Sequence, residues 1–76
     1  MTDIILKLTE EKDELDGKIH RLQTFIRSVS FDKISVQQQT WLKIQLPTME
    51  VYSTVLGIRL DDLRYQYNKA NEVVIR

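Results

Sequence analysis

Residues 42–67, LKIQLPTMEVYSTVLGIRLDDLRYQY, decide the fold. Apolar residues recur in this stretch at steps of three and four, the spacing that places them on one face of an α-helix. The members of the repeat are Leu42, Leu46, Met49, Tyr52, Leu56, Leu60, Leu63 and Tyr67. Because the repeat continues across Pro47, we expect one long helix with a kink near residues 44–46; a complete break is the alternative.

A shorter repeat near the N-terminus predicts the partner of this helix. Its members are Ile4, Leu8, Leu15, Ile19, Leu22 and Ile26. They lie on one face of a helix over about residues 3–27. Residues 28–34 carry serine, aspartate and β-branched side chains and predict the connection. Ser35 and Gln38 form a capping box that opens a second helix over about residues 36–68.

These elements predict a single all-α domain over residues 1–76, an antiparallel two-helix hairpin with a longer, Pro-kinked second helix. We expect residues 69–76 to form a frayed polar tail. The second helix is predicted to extend past the first, so that residues 60–67 have no partner within the chain. Phe31 and Ile34 are expected to close the end of the core at the connection.

The second helix carries another set of apolar residues beside the first set. These residues are Trp41, Ile44, Val51, Val55 and Ile58. A helix that is apolar on more than one face is buried on more than one side, which two helices alone do not achieve. The chain has no cysteine for a disulfide, and a domain of 76 residues is marginally stable alone. We therefore expect a homo-oligomeric bundle built around the second helix.

Composition disfavours several classes of function. Eleven basic and eleven acidic residues give a net charge of zero, whereas a protein that binds duplex DNA carries a basic surplus. No apolar run is longer than that of Ile4–Leu6, which is far shorter than the roughly 20 residues of a membrane span, and no targeting segment is visible. We expect a soluble cytoplasmic protein that binds neither DNA nor a membrane.

Residues with catalytic or metal-binding potential do not form a recognisable motif. His20, the single histidine, has no accompanying nucleophile and orienting acid, which favours an exposed helix residue over a general base. The acidic residues within 10–16 are spread around the helix without metal-ligand spacing, which favours a solvated face. We expect no enzymatic activity, no metal and no cofactor.

Aromatic and basic residues allow two interpretations each. Trp41, Tyr65 and Tyr67 fit interface packing, which is favoured, or a platform on which a nucleobase stacks. The basic residues of the two helices fit scattered solvated charge, or a small anion pocket that symmetry builds from one side chain per chain. These basic residues are Lys7, Lys12, Lys18, Arg21, Arg59 and Arg64.

Two tracts of the chain resemble a known family. They are Glu14-Leu-Asp-x-Lys-Ile19 and Tyr52-Ser-Thr-Val-Leu-Gly-Ile-Arg59, within a leucine pattern that extends over about residues 4–60. The pattern is similar to that of phage anti-CBASS sponges, small helical-hairpin proteins that sequester cyclic oligonucleotide signals of the host. The resemblance implies a non-enzymatic protein of the host cytoplasm that assembles as a hexamer. It also implies binding of cyclic di- and trinucleotides in separate pockets between protomers.

The resemblance further implies which residues contact the ligand. A lysine of the first helix, either Lys12 or Lys18, is expected to hold phosphate, and Arg59 is expected in a trinucleotide pocket. The family's stacking aromatic residue near the N-terminus is missing, because the first 24 residues contain no Phe, Tyr or Trp. Either the dinucleotide site is weakened, or another aromatic residue from a neighbouring chain replaces it, with Tyr52 and Tyr65 as candidates.

The resemblance therefore implies a phage sponge that binds host cyclic di- and trinucleotide second messengers without cleaving them and so blocks activation of CBASS effectors. The alternative is a structural or adaptor protein that binds a phage or host protein through its coiled-coil faces. An accessory protein for single-stranded nucleic acid is less favoured, because a basic groove is missing. The preferred nucleotide and the number of subunits stay open.

Overall fold

The computed structural model describes the backbone of residues 2–75 and the side chains of residues 2–70. Helix α1 spans Thr2–Ile26, a 3-10 turn spans Val29–Lys33, and helix α2 spans Val36–Ile75. The predicted all-α helical hairpin is confirmed. No helix within the described part is long and apolar enough to cross a membrane.

Helix α2 is longer than predicted. It begins as the capping pattern predicts, with the backbone N–H of Gln38 donating to the hydroxyl of Ser35 at 3.2 Å. It then continues through Pro47, which excludes the alternative of a complete break. It ends at Ile75, although residues 69–76 were expected to fray. Residues 68–75 contain neither glycine nor proline, so the local sequence supplies no residue that stops the helix.

The two helices pack antiparallel over the length of α1. Lys12 contacts Ser53 and Thr9 contacts Arg64, so residue numbers fall along α1 as they rise along α2. The molecule measures 62 × 15 × 15 Å. These dimensions match the 40 residues of α2, which span about 60 Å at 1.5 Å per residue, with the shorter α1 beside them.

The core is one seam between the helices. Leu8 of α1 packs with Leu56 and Leu60 of α2, and Leu56 is fully buried. Ile5, Leu15 and Leu63 are partly buried against this cluster. Two residues that were expected to lie beyond the end of α1, Leu60 and Leu63, are therefore paired, and that prediction was wrong. The first turn of α2 packs on the connection through Gln39, so pairing with α1 begins after this turn and extends correspondingly further along α2. Arg64 still reaches Thr9 of α1.

The turn fixes the register between the helices. Phe31 is buried and meets the ring of Phe25 edge-on, with centroids 5.9 Å apart and an interplanar angle of 86°. The side-chain amide of Gln39 donates to the carbonyl oxygens of Phe31 and Ile34, both at 3.1 Å. Phe31 thus closes the end of the core as predicted, and these bonds tie the first turn of α2 to the connection.

Candidate functional site

A polar cluster interrupts the apolar seam at Ser53. This serine is the buried polar residue of the core, with 7% of its surface exposed. Its hydroxyl accepts a hydrogen bond from Lys12 Nζ at 3.0 Å and donates to Asp16 Oδ1. Lys12 Nζ also donates to Asp16 Oδ2 at 2.8 Å, forming the one ion pair among the described side chains. The hydrogen bond from Lys12, followed in importance by the one from Ser53, holds the pKa of Asp16 below its ordinary value of 3.8.

Gly57 makes room for the lysine of this cluster. A Cβ atom at Gly57 would lie 3.3 Å from Cε of Lys12, closer than an ordinary van der Waals contact. The missing side chain therefore lets the aliphatic part of Lys12 cross the surface of α2 and reach Ser53. Lys12, one of the two lysines predicted as candidate phosphate ligands, is engaged in contacts between the two helices of its own chain.

A shallow groove of about 240 Å³ lies beside this cluster. Its charged lining consists of three carboxylates, Asp13, Asp16 and Asp61, and two cations, Lys12 and Arg64. Arg64 reaches across to the hydroxyl of Thr9 at 3.4 Å. The groove is smaller than the roughly 300–1,000 Å³ of typical ligand pockets. Its excess of carboxylates makes it unsuitable for a polyanion.

The opposite flank of the hairpin brings Tyr52 and Arg59 together. Tyr52 lies seven residues before Arg59, which places both side chains on one face of α2 about 10 Å apart along the axis. Both residues are exposed. The Tyr52 hydroxyl donates to Glu11 of α1, and this bond raises the pKa of Tyr52 above 10.0, while the nearby charge of Arg59 acts in the opposite direction. The flank therefore offers an aromatic ring, a guanidinium and a carboxylate to solvent.

The two other predicted site residues lie away from Arg59. Lys18 is exposed on α1. It lies ten residues after Leu8, and Leu8 packs on α2 at the level of Arg59. Lys18 and Arg59 are therefore about 15 Å apart along the helix axis. Tyr65 is exposed six residues after Arg59 and points about 120° away around α2. The amine of Lys69 lies 5.9 Å from the Tyr65 ring centroid. One small ligand on a single chain does not reach all of these residues.

The second apolar set predicted from the sequence is exposed along the same flank of α2. Trp41, Val51 and Ile58 each expose more than 60% of their surface. Together with Thr48 they form a continuous row, which we call the outer strip: Trp41, Ile44, Thr48, Val51, Val55 and Ile58. Its centre lies about 120° around α2 from the inner seam. The single hairpin therefore leaves a second apolar face of α2 open to solvent.

Sequence reasoning missed Ser53 and placed Tyr52 in the inner seam instead. The structure buries Ser53, whereas Tyr52 exposes 45% of its surface. A strict heptad count from Leu42 alternates steps of four and three and reaches residue 53. Selecting apolar residues alone passed over it because serine is polar. Lys12 and Asp16, one turn apart on α1, are the partners that make a buried serine acceptable.

The acidic residues of α1 and the single histidine, His20, are exposed. Within residues 2–70, the His, Asp and Glu side chains form no group of three or more that is placed to hold a metal ion.

The chain is similar to a known protein family. The model of a protein family described as Sequestin matches residues 2–62, which include α1, the turn and most of the part of α2 that packs against α1. No curated protein and no solved structure shows significant similarity to the chain.

Proposed function

Because the chain belongs to the Sequestin family, we propose that it is a homo-oligomeric phage sponge that binds cyclic di- and trinucleotide second messengers in the host cytoplasm. It makes and breaks no bond. By holding the messenger stoichiometrically, it keeps the free concentration below the level at which CBASS effectors respond. The family name is compatible with a sequestering role, and the chemistry of the exposed flank supports this class of ligand.

The observation that carries the proposal is the position of Arg59 at the edge of the outer strip, two helical turns from the ring of Tyr52. A cyclic oligonucleotide carries two or three phosphodiester charges and the same number of bases. A guanidinium binds a phosphate through two parallel hydrogen bonds, and an aromatic ring stacks on a base. Arg59 and Tyr52 supply these two groups on one face of α2.

The electrostatics of the hairpin favour a site between copies over a site within one chain. The groove beside Lys12 is small and carries more carboxylates than cations. Arg59 instead borders the apolar outer strip, the surface that a second copy is expected to cover. A symmetry axis near Arg59 would gather one guanidinium from each chain. Such a pocket is cationic although the chain has a net charge of zero.

Isothermal titration tests this proposal directly. The protein is titrated with a panel of cyclic di- and trinucleotides and, as controls, with their linear counterparts. We expect binding of at least one cyclic ligand, recovered chemically intact by chromatography after the protein is denatured. The absence of heat with every cyclic ligand would refute the proposal. Recovery of a cleaved ligand would reassign the protein as an enzyme.

Arg59→Ala tests the assigned residue. Loss of a hydrogen bond to a charged group costs about 1.5–3 kcal/mol, so we expect affinity to fall by about 10- to 150-fold while the oligomer remains intact. Arg27→Ala, another exposed arginine near the end of α1, is the matched control and should bind normally. Dissociation of the oligomer on Arg59→Ala would assign Arg59 to the interface alone.

The exposed outer strip also favours a second candidate, a structural or adaptor protein that packs this face on another phage or host protein. Such a protein would need the apolar residues of the strip and would not need Arg59. Recovery of a stable protein partner by pull-down, with no nucleotide retained and no response to Arg59→Ala, would favour this second candidate over the sponge.

A further inference from the structure

The outer strip has the spacing of a second coiled-coil seam. Its members follow one another at steps of three, four, three, four and three, from Trp41 to Ile58. This is the a/d pattern of a heptad repeat, here without a partner helix in the chain. We propose that a second copy of this chain covers the strip, with α2 packed antiparallel on the α2 of the other copy about a two-fold axis between Thr48 and Val51.

The exposed area of the chain is large enough to include an interface with a second copy. A folded monomer of 9.0 kDa is expected to expose about 4,900 Å². This chain exposes 6000 Å², so the excess is about 1,100 Å². A standard protein–protein interface buries about 800 Å² on each partner. The excess surface is therefore sufficient for one such interface, and the outer strip is the apolar region on which to build it.

Polar residues at the ends of the strip favour the antiparallel arrangement. The heptad pattern continues to Gln37 before Trp41 and to Asp62 after Ile58. In a parallel pair, the two copies of Asp62 would face each other across the seam, and like charges in contact repel. In an antiparallel pair centred on the strip, Asp62 faces Gln37 of the other copy. The amide of Gln37 donates a hydrogen bond that the carboxylate of Asp62 accepts.

The antiparallel register also matches the apolar side chains. In an antiparallel pair, heptad position a of one helix packs against position d of the other. Ile44 therefore meets Val55 of the other copy, and Thr48 meets Val51. The larger Trp41 lies at the outer end of the seam and meets Ile58, next to Arg59. Packing an aromatic ring on these two residues buries its apolar surface and places it within reach of the guanidinium.

This register completes the candidate ligand site with a residue from the second copy. Trp41 supplies an aromatic ring beside the Arg59 and Tyr52 of its partner, which compensates for the missing aromatic residue of α1. Two such clusters form per pair, separated by 17 residues of α2, or about 25 Å. The pairing itself follows from the surface alone, whereas the ligand-binding role of Trp41 rests on the proposed function.

Disulfide cross-linking tests the register, since the chain has no cysteine of its own. Ile44→Cys and Val55→Cys are made separately, oxidised alone and as an equal mixture, and resolved on a non-reducing gel. The antiparallel register predicts a covalent dimer in the mixture, containing one chain of each variant, and little in either variant alone. Self-cross-linking of each single variant would show a parallel pair. No cross-link in any sample would refute the pairing.

Val51→Glu tests the interface in solution, with Val29→Glu as its matched control. Both valines are exposed in the single chain, at 64% and 73%, but Val29 lies in the turn, outside the strip. Sedimentation equilibrium should show at least about 100-fold weaker self-association for Val51→Glu and no change for Val29→Glu, with helicity by circular dichroism unchanged in both. If both variants self-associated as strongly as the wild-type protein, the inference would be overturned.

Nucleotide titration of the same proteins separates this inference from the proposed function. Cross-linking in the predicted register without any nucleotide binding would refute the sponge and leave the pairing supported. Nucleotide binding by a protein that sediments as a monomer would refute the pairing and the homo-oligomeric state, and would leave nucleotide sequestration supported. Trp41→Leu keeps an apolar side chain in the strip. Reduced nucleotide affinity with intact association supports the composite site, and unchanged affinity removes Trp41 from it.

Discussion

Replacing Lys12 with methionine distinguishes its two possible roles. The sequence resemblance assigns Lys12 or Lys18 to phosphate binding, whereas the structure gives Lys12 contacts with Asp16 and Ser53 within its own chain. Methionine keeps most of the aliphatic length that crosses Gly57 but removes the charge and the donors. We expect Lys12→Met to reduce the stability of the hairpin and to leave nucleotide binding by the folded protein unchanged.

The size of the loss follows from the exposure of the groups. The side chains of Lys12 and Asp16 are 29% and 45% exposed, so their ion pair contributes about 0.2–1 kcal/mol. The hydrogen bond from Lys12 to the hydroxyl of Ser53 adds about 1 kcal/mol. Ser53 keeps Asp16 as an acceptor, so its buried hydroxyl is still partnered in the variant. The total is about 1–2 kcal/mol, and each kcal/mol corresponds to about 4–8 °C in Tm for a domain of this size.

Urea unfolding followed by circular dichroism measures this loss. All proteins are compared at one concentration, because self-association adds to apparent stability. Lys18→Met, which changes an exposed lysine of the same helix, should stay within about 0.5 kcal/mol of wild type. If Lys12→Met were to unfold like wild type and yet bind a cyclic nucleotide at least about tenfold more weakly, Lys12 would be a ligand residue and our reasoning would be refuted.

Two further predictions concern the core and the polar cluster. Leu56 is fully buried, so Leu56→Ala should lower the free energy of unfolding in urea by about 2–5 kcal/mol. Leu6→Ala, at a side chain that is 57% exposed, should change stability little. Equal losses in the two variants would contradict the single-seam core. The pKa of Asp16 is held below 3.8 in the folded chain. The ionised carboxylate therefore contributes fully to the free energy of unfolding at higher pH, and this contribution is lost as the pH falls through the lowered pKa. Asp16→Asn should therefore lose stability relative to wild type near pH 7 and approach it at pH 2–3, and an equal difference at both pH values would refute the assignment.

Much of the fold follows from local periodicity. Leucines at helical spacing predict each amphipathic helix, and Ser35 with Gln38 predicts the start of α2, because both signals depend on residues within one or two turns. The C-terminal end of α2 was predicted too early because the apolar repeat stops at Tyr67 and most of residues 68–72 are polar. Polarity decides whether a helix packs, but it does not stop a helix that contains neither glycine nor proline.

The candidate site depends much more on contacts between the helices. Sequence reasoning selected Lys12 and Arg59 by resemblance and did not separate their environments. The register places Lys12 over Gly57 and beside Ser53, and leaves Arg59 exposed near Tyr52. No periodicity within α1 alone identifies which residue of α2 a given lysine reaches.

The sequence by itself determined two amphipathic helices and a second apolar face on α2, because helical periodicity records which side of each helix is apolar. It also determined the antiparallel pairing of the helices, because a short connection makes consecutive helices antiparallel neighbours. Only the tertiary structure decided which polar residues meet across the seam and which cations remain available for a ligand. The physical reason is the register, which the buried Phe31 and the bonds from Gln39 fix at the turn. That register joins Lys12 to the inner cluster and leaves Arg59 beside the outer strip.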